Sequence, residues 1–171
     1  MTNWLGGMRM TADRLYETDL IGRTVFLANR GANQSISTGA DTASNALQWD
    51  EVALDVLGGW NAGQPTRWTC PRAGWWTFQG AVGFNASTSG TVRECCWYVN
   101  GGLISMGRSR PMVTVPSNST LTVDARSVPR LMAVGDYVQL IAGHNSTSPA
   151  ALDTATGSYR PYISITYSGP P

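Results

Sequence analysis

An antiparallel all-β sandwich or barrel is the fold class this 171-residue chain predicts, and three observations carry it. Glycine, proline, serine, threonine and asparagine make up about two fifths of the residues, and they fall in clusters between short apolar runs, as turns do between strands. The best of those runs, residues 75–84 (WWTFQGAVGF), alternates with period two. Trp76, Phe78, Gly80, Val82 and Phe84 lie on one face, with Trp75, Thr77, Gln79, Ala81 and Gly83 on the other. Only 13% of residues are charged and good helix formers are scarce, which excludes a helical bundle. Surface scaling gives roughly 8,000 Å² for the folded chain against roughly 26,000 Å² unfolded, so a substantial core forms without disulfides.

Each element is placed by its own pattern. Thr11 is a candidate cap for a short helix over residues 12–19, with Asp13 favourably placed in the first turn. Such a helix is too short to stand alone and is expected to dock on the domain or on a neighbour, a disordered leader being the alternative. Residues 24–28 (TVFLA) read as a strand, followed by a polar stretch to residue 44 that holds the short Ser35–Ser37 segment. A strand is expected around Leu47 and Trp49 over residues 46–52, and residues 50–57 favour strand or irregular edge over helix because Gly58 and Gly59 stop them. Residues 67–70 lead through Pro71 and Gly74 into the aromatic strand. Strands then follow at 91–99, 103–106, 112–115, 119–127, 137–142 and 159–167, with a small-polar loop over 145–157. Gly80 and Gly83 permit close packing or bending. The whole is about eight strands with no fixed-period repeat, preceded by an N-terminal arm: residues 1–23, then one domain over 24–171.

Chemistry is sparse. All 12 basic residues are arginine, and 11 acids leave a net charge of +1 with no basic cluster, so no nucleic-acid partner is expected. No apolar run is long enough for a membrane helix and no signal peptide is read at the start, so no membrane insertion is expected. Cys70, Cys95 and Cys96 lack a structural zinc spacing and read as buried free thiols, with an intersubunit bridge or a vicinal disulfide as alternatives. Adjacent Cys95 and Cys96 point to opposite faces of a strand. His144 is the only histidine, and no nucleophile-elbow or phosphate-loop motif accompanies it. Asp50, Glu51, Asp55 and Asp136 read as solvated turn carboxylates or local hydrogen-bond acceptors, with calcium binding or inter-subunit ion pairing as alternatives. The four Asn-x-Ser/Thr sequences at Asn33, Asn85, Asn118 and Asn145 are explained by composition. No catalytic residue, metal ligand or cofactor is assigned. Trp76, Phe78 and Phe84 are candidate core or trimer-packing residues, while Trp60 and Trp75 suit surface or interface work.

Three phrases carry a family resemblance. Residues 66–84 (TRWTCPRAGWWTFQGAVGF), 97–102 (WYVNGG) and 133–143 (AVGDYVQLIAG) resemble the C1q/TNF-like jelly roll, with the final 159–167 (YRPYISITY) a looser match. The resemblance implies a two-sheet antiparallel jelly-roll sandwich that assembles as a homotrimer, with Trp76, Phe78, Tyr137 and Leu140 in structural positions and ligands taken by loops or subunit grooves. A collagen-like arm is missing. Residues 4–17 (WLGGMRMTADRLYE) are similar to the N-terminal phrase of small tail or virion structural proteins from phages of actinobacteria.

Together these imply a non-enzymatic virion protein, assembled in the host cytoplasm, that serves capsid decoration or tail assembly. Its arm would dock on larger capsid or tail proteins through Trp4, Met8 and Leu15. The alternatives are a host-receptor or glycan-binding tail module, using loops around Trp60, Asn85, His144 and Asn145, and a glycan-cleaving enzyme.

Overall fold

The aromatic alternation of residues 75–84 produces β5 (Gly74–Phe84), and the rest of the molecule is arranged around it. The computed structural model describes residues 12–39, 42–112, 119–148 and 151–171. β5 is flanked by β11 (Tyr162–Gly169) on one side and β8 (Leu121–Met132) on the other. β1 (Thr24–Asn29) pairs with β11, and β3 (Glu51–Asp55) closes that edge, giving a five-stranded sheet in the order β3-β1-β11-β5-β8. The second sheet runs β4-β9-β6-β7, from β4 (Trp68–Thr69) through β9 (Tyr137–His144) and β6 (Arg93–Val99) to β7 (Gly102–Leu103). A two-stranded ribbon of β2 (Ser35–Ser37) and β10 (Ala151–Asp153) lies beside them. Every pairing among the described strands is antiparallel.

The two sheets are joined by aromatic rings. Trp76 of β5 stands edge-on to Trp68 of β4, 5.0 Å between centroids, and 4.8 Å from Tyr167 of β11. Trp68 also approaches Phe26 of β1 at 6.4 Å, and Phe78 meets Trp97 of β6 at 5.5 Å. All six rings are fully buried. Each side chain of this size contributes about 1.5–3 kcal/mol by leaving water, and the tilted contacts add roughly 0.5–1.5 kcal/mol per pair. The indole of Trp97 donates its Nε1–H to the Arg126 carbonyl of β8 at 3.1 Å, tying β6 to the β8 edge of the other sheet.

Two turns meet at one end. Asn100 and Gly101 have φ of 51° and 77°, the left-handed pair that a two-residue hairpin requires, and they connect β6 to β7. The Asn100 side chain donates to Asp136 Oδ1 at 2.7 Å and accepts from the Tyr137 N–H at 2.9 Å, while Asp136 Oδ2 accepts from the Ala133 N–H at 2.7 Å. The Asn-Gly and Gly-Asp phrases, separated by more than thirty residues, are one clasp.

Several local expectations are corrected. Residues 46–52 are not one strand: a 3₁₀ turn over Ala43–Asn45 leads to a single bridge from Ala46 to Ile141, and pairing resumes only at Glu51. The strand expected over 103–106 stops at Leu103, because a 3₁₀ turn over Ser105–Gly107 lays Gly107 against the Trp97 ring. The 145–157 loop contains β10, and β8 runs five residues past its expected end, with a register shift opposite Phe78 and Gly80 absorbing Arg126 and Ser127. Of the strand expected over 112–115, Met112 bridges Val92; residues 113–115 lie outside the described residues.

Helix α1 (Ala12–Leu20) precedes the sandwich, and Thr11, its expected cap, lies outside the described residues. Leu20 is buried in the main core, whereas Leu15 and Tyr16 are half exposed. The chain leaves the helix through two backbone hydrogen bonds to β11, Gly22 N–H to Tyr167 O at 2.7 Å and Tyr167 N–H to Arg23 O at 3.2 Å.

Candidate functional site

The outward face of the five-stranded sheet is built from residues that strand alternation turns away from the core. Register places Leu54, Leu27, Ser164 and Gln79 in one row across β3, β1, β11 and β5. A second row runs Thr166, Thr77 and Pro129, a third joins Trp75 to Leu131, and a fourth joins Tyr162, Ala81 and Asp124. Leu27, Leu54, Trp75, Leu131 and Tyr162 all expose a third or more of their surface, and Trp75 reaches 43%. Thr77 and Ser168 satisfy one another across the face at 2.8 Å. The three central strands, β1, β11 and β5, contain no charged residue at all. An ordinary protein surface interleaves both signs of charge, whereas the centre of a protein–protein interface is depleted of them.

The second candidate region is the loop end of the sandwich. Asn85, Ala86, Ser87, Ala151, Leu152 and Asp153 line a cleft of about 310 Å³. Asn85 is set there by its backbone N–H bonding to Asp153 O at 3.0 Å. Asn145 is engaged with its neighbours: its Oδ1 accepts from the N–H groups of Thr91 and Val92, both at 2.8 Å. His144 is corrected outright, because it does not face a ligand-accessible loop. It ends β9 and is 1% exposed, bonded through both ring nitrogens. Burial pulls its pKa below the ordinary imidazole value, and neighbouring Arg93 acts in the same direction.

The remaining predicted positions divide cleanly. Trp76, Phe78, Phe84 and Leu140 are fully buried in the main core. Tyr137 is not in it: Val138 points inward, so Tyr137 lies on the outer side of the four-stranded sheet beneath the Arg67 guanidinium, 4.7 Å away. Trp60 is half-buried against the core rather than a free loop-borne ring, and its N–H donates to Asp55 at 3.0 Å. Leu15 stands on α1; Trp4 and Met8 lie outside the described residues. Sequence reasoning missed Leu27, Leu54, Gln79 and Leu131 as parts of one face. The available signal was the lack of charge in the segments that became β1, β5 and β11.

Acids and thiols serve the fold. Asp50 accepts from the N–H of Gly31 at 2.7 Å and of Ala32 at 3.2 Å and pairs with Arg30 at 2.8 Å. Asp55 accepts from Gly59 and Trp60 N–H. The three cysteines are buried thiols outside any disulfide. Cys95 belongs to the main core and Cys96 to a smaller cluster with Ala46, Tyr98 and Ile141, so the adjacent thiols serve opposite faces. Burial pushes the Cys95 thiol well up and the Cys70 thiol up. Among the described residues, no three His, Cys, Asp or Glu side chains form a metal-holding group.

No family model and no curated protein matches the chain. Solved structures do match. The globular domain of zebrafish complement 1qA protein aligns with a TM-score of 0.57 at 9% identity, covering 85% of this chain and 97% of that one. The fold is a C1q/TNF-like jelly roll. The Eiger TNF structure from S. frugiperda aligns with a TM-score of 0.61 at 7% identity, covering 86% of this chain and 94% of that one. At these identities the likeness is one of backbone architecture. A fold hosts many functions, so the outward face and loops of this chain have to be read from its own residues.

Proposed function

We propose that this C1q/TNF-like domain is a non-enzymatic phage virion protein, a homotrimer that packs through the outward face of its five-stranded sheet and is docked on a capsid or tail by its N-terminal arm. The observation that carries the assembly is the uncharged centre of that face, with Leu27, Leu54, Trp75, Leu131 and Tyr162 exposed around Gln79 and Thr77. Burying that centre costs no ion desolvation, and symmetric repetition multiplies a weak docking contact into a strong one. The docking reading is supported by α1, a helix of 9 residues whose Leu15 and Tyr16 remain half exposed although so short a helix needs a partner. The similarity of residues 4–17 to virion proteins of actinobacterial phages supports the particle itself, and the host cytoplasm as the place of its assembly.

Native mass measurement tests the first part: three chains per particle are expected, and a persistent monomer at micromolar concentration overturns it. An electron-density map of the source particle tests the second by locating the chain in capsid or tail. Trp4→Ala with Leu15→Ala is expected to lower incorporation while leaving the thermal unfolding of the sandwich unchanged; normal incorporation removes the arm contact.

A second reading, a glycan- or receptor-binding tail module, is favoured by the cleft at the loop end, where the Asn85 carboxamide and Asp153 carboxylate are available to hydroxyl groups. Saturable binding to a glycan array that is lost in Asn85→Ala supports it, and no binding by the assembled protein sinks it.

A further inference from the structure

The imidazole of His144 sits where three segments of the loop end meet. One ring nitrogen, Nε2, lies 2.7 Å from the Ile36 carbonyl of β2, and the other, Nδ1, lies 3.1 Å from the Ser146 N–H. A carbonyl can only accept and a backbone N–H can only donate, so the proton is on Nε2 and Nδ1 is bare. Both partners are satisfied by this one neutral tautomer and by no other protonation state. A second proton on Nδ1 would face the Ser146 N–H directly, turning an acceptor into a donor inside a site where His144 is 1% and Ser146 0% exposed.

Of the described groups, the Ile36 carbonyl favours the resulting cation, but burial outweighs it. Across the ladder from His144 stands Arg93, itself fully buried, with its guanidinium bonded to the carbonyls of Val92 (2.9 Å), Ser87 (3.3 Å) and Ser89 (3.1 Å) and lying over the Phe84 ring. The next residue of β6, Glu94, points to the other side of the sheet and pairs with Arg108 and Arg110. β2 contributes Ser35, Ile36 and Ser37, the 87–92 loop contributes no charge, and neither does the 145–148 loop. Asp153 of β10 pairs across the ribbon with Ser35, at the far end of β2 from Ser37.

What the ring holds is itself a holder. Ser146 donates its hydroxyl to Ser89 at 2.7 Å and its carbonyl accepts from Thr38, while Asn145 caps the N–H groups of Thr91 and Val92. We propose that His144 is an acid-sensitive latch: its protonation breaks the Ser146 contact and frees the 145–148 and 87–92 loops together, while the aromatic core stays closed. Burial, which holds the imidazole below its ordinary value, places this opening at acid pH. In linkage terms, the folded state binds the proton less well than an exposed histidine, so the stabilisation is complete above about pH 6.5 and is lost progressively as pH falls from there toward the folded value.

The full chain carries a single histidine, so its ring resonance is unambiguous in an NMR titration. The expected result is a ring midpoint below about 6.5, with the amides of Ile36, Thr91, Val92 and Ser146 shifting at that same midpoint and those of Phe78 and Ile165 unchanged. A ring that titrates at or above the ordinary value overturns the proposal. So do loop amides that ignore the ring, and so do core amides that move with the loops, because the event is then global unfolding. In His144→Gln the loop shifts should vanish over the same pH range; their persistence overturns it, and if that variant does not fold the wild-type titration decides alone.

Discussion

Asn100 illustrates how much a single side chain carries in this fold. Its carboxamide bonds the backbone of one turn and the carboxylate of another, and its hydrogen bond is the main reason that the Asp136 carboxyl is held below the usual carboxylate range. Asn100→Ala removes both contacts and places a non-glycine, non-asparagine residue at positive φ, so a loss of about 1–2 kcal/mol is expected from the hydrogen bonds alone. At roughly 2–4 °C per kcal/mol for a chain of this size, a thermal melt resolves it. The pH dependence has a definite sign. A carboxyl depressed in the folded state stabilises above its unfolded value near 3.9 and loses that contribution as pH falls. The stability gap between variant and parent is therefore expected to be full above about pH 4 and to narrow as the pH falls below it, as read from urea titrations at several pH values. Gly83 makes a second residue-scale case, because the Tyr159 carbonyl occupies the place of its missing Cβ. Backbone cannot step aside as a flexible side chain can, so Gly83→Ala should cost about 1–3 kcal/mol in denaturant titration, and a neutral result would show that the 157–160 crossing yields.

At the scale of elements, the segment after β7 is held to the sheet by backbone pairing and by one acid. Ser109 exchanges both backbone hydrogen bonds with Cys95, at 3.0 and 2.9 Å, and the flanking Arg108 and Arg110 reach Glu94, which is almost completely buried. Glu94→Gln keeps the shape but discards the charge, so hydrogen exchange at the Ser109 amide should accelerate at least tenfold, equivalent to about 1.4 kcal/mol, while that of Trp97 stays slow. Equal exchange in variant and parent would mean that the backbone pairing holds the segment unaided. Elements also show what the amino-acid sequence makes legible. The alternation of Trp76, Phe78 and Phe84 announces its strand because every second residue is large and apolar. Residues 46–52 mislead because Leu47 and Trp49 are buried by a 3₁₀ turn and a single bridge, which share the apolar spacing of a strand without its pairing. The extension of β8 is hidden by Pro129, which removes a donor yet is tolerated on an edge strand next to a bulge. His144 is misread for a related reason: asparagine and serine after it signal a loop, but the partners that bury it, Ile36 and Arg93, are remote in sequence.

For the molecule as a whole, the decisive quantity is how the two faces of the five-stranded sheet differ. One is filled by aromatic rings; the other is uncharged through β1, β11 and β5, mixes apolar with hydroxyl and amide side chains, and is open. Gln79 lies at the middle of that open face, on the row with Leu27 and Ser164. In the proposed trimer, Gln79→Arg adds a charge that three symmetry-related copies would have to bury together, and separate chains are the expected outcome by mass measurement, with thermal unfolding of each domain retained. A trimer that survives this substitution would place the subunit contact elsewhere on the sandwich. The outward face was legible in composition only as an absence of charge, whereas its rows depend on register, which bulges in β1, β3 and β8 shift.

The aromatic junction also gives the protein an optical signature. Trp68 and Trp76 stand 5.0 Å apart at 63°, close and crossed enough for their excited states to couple, and they belong to opposite sheets. Their circular-dichroism couplet should exist only while the sheets are docked, so its loss on heating reports separation of the layers rather than fraying of strands. Trp75, one residue away, points to the opposite side and is 43% exposed. Its emission should shift to the blue when neighbouring copies cover it, so the adjacent indoles Trp75 and Trp76 read out assembly by fluorescence and folding by circular dichroism.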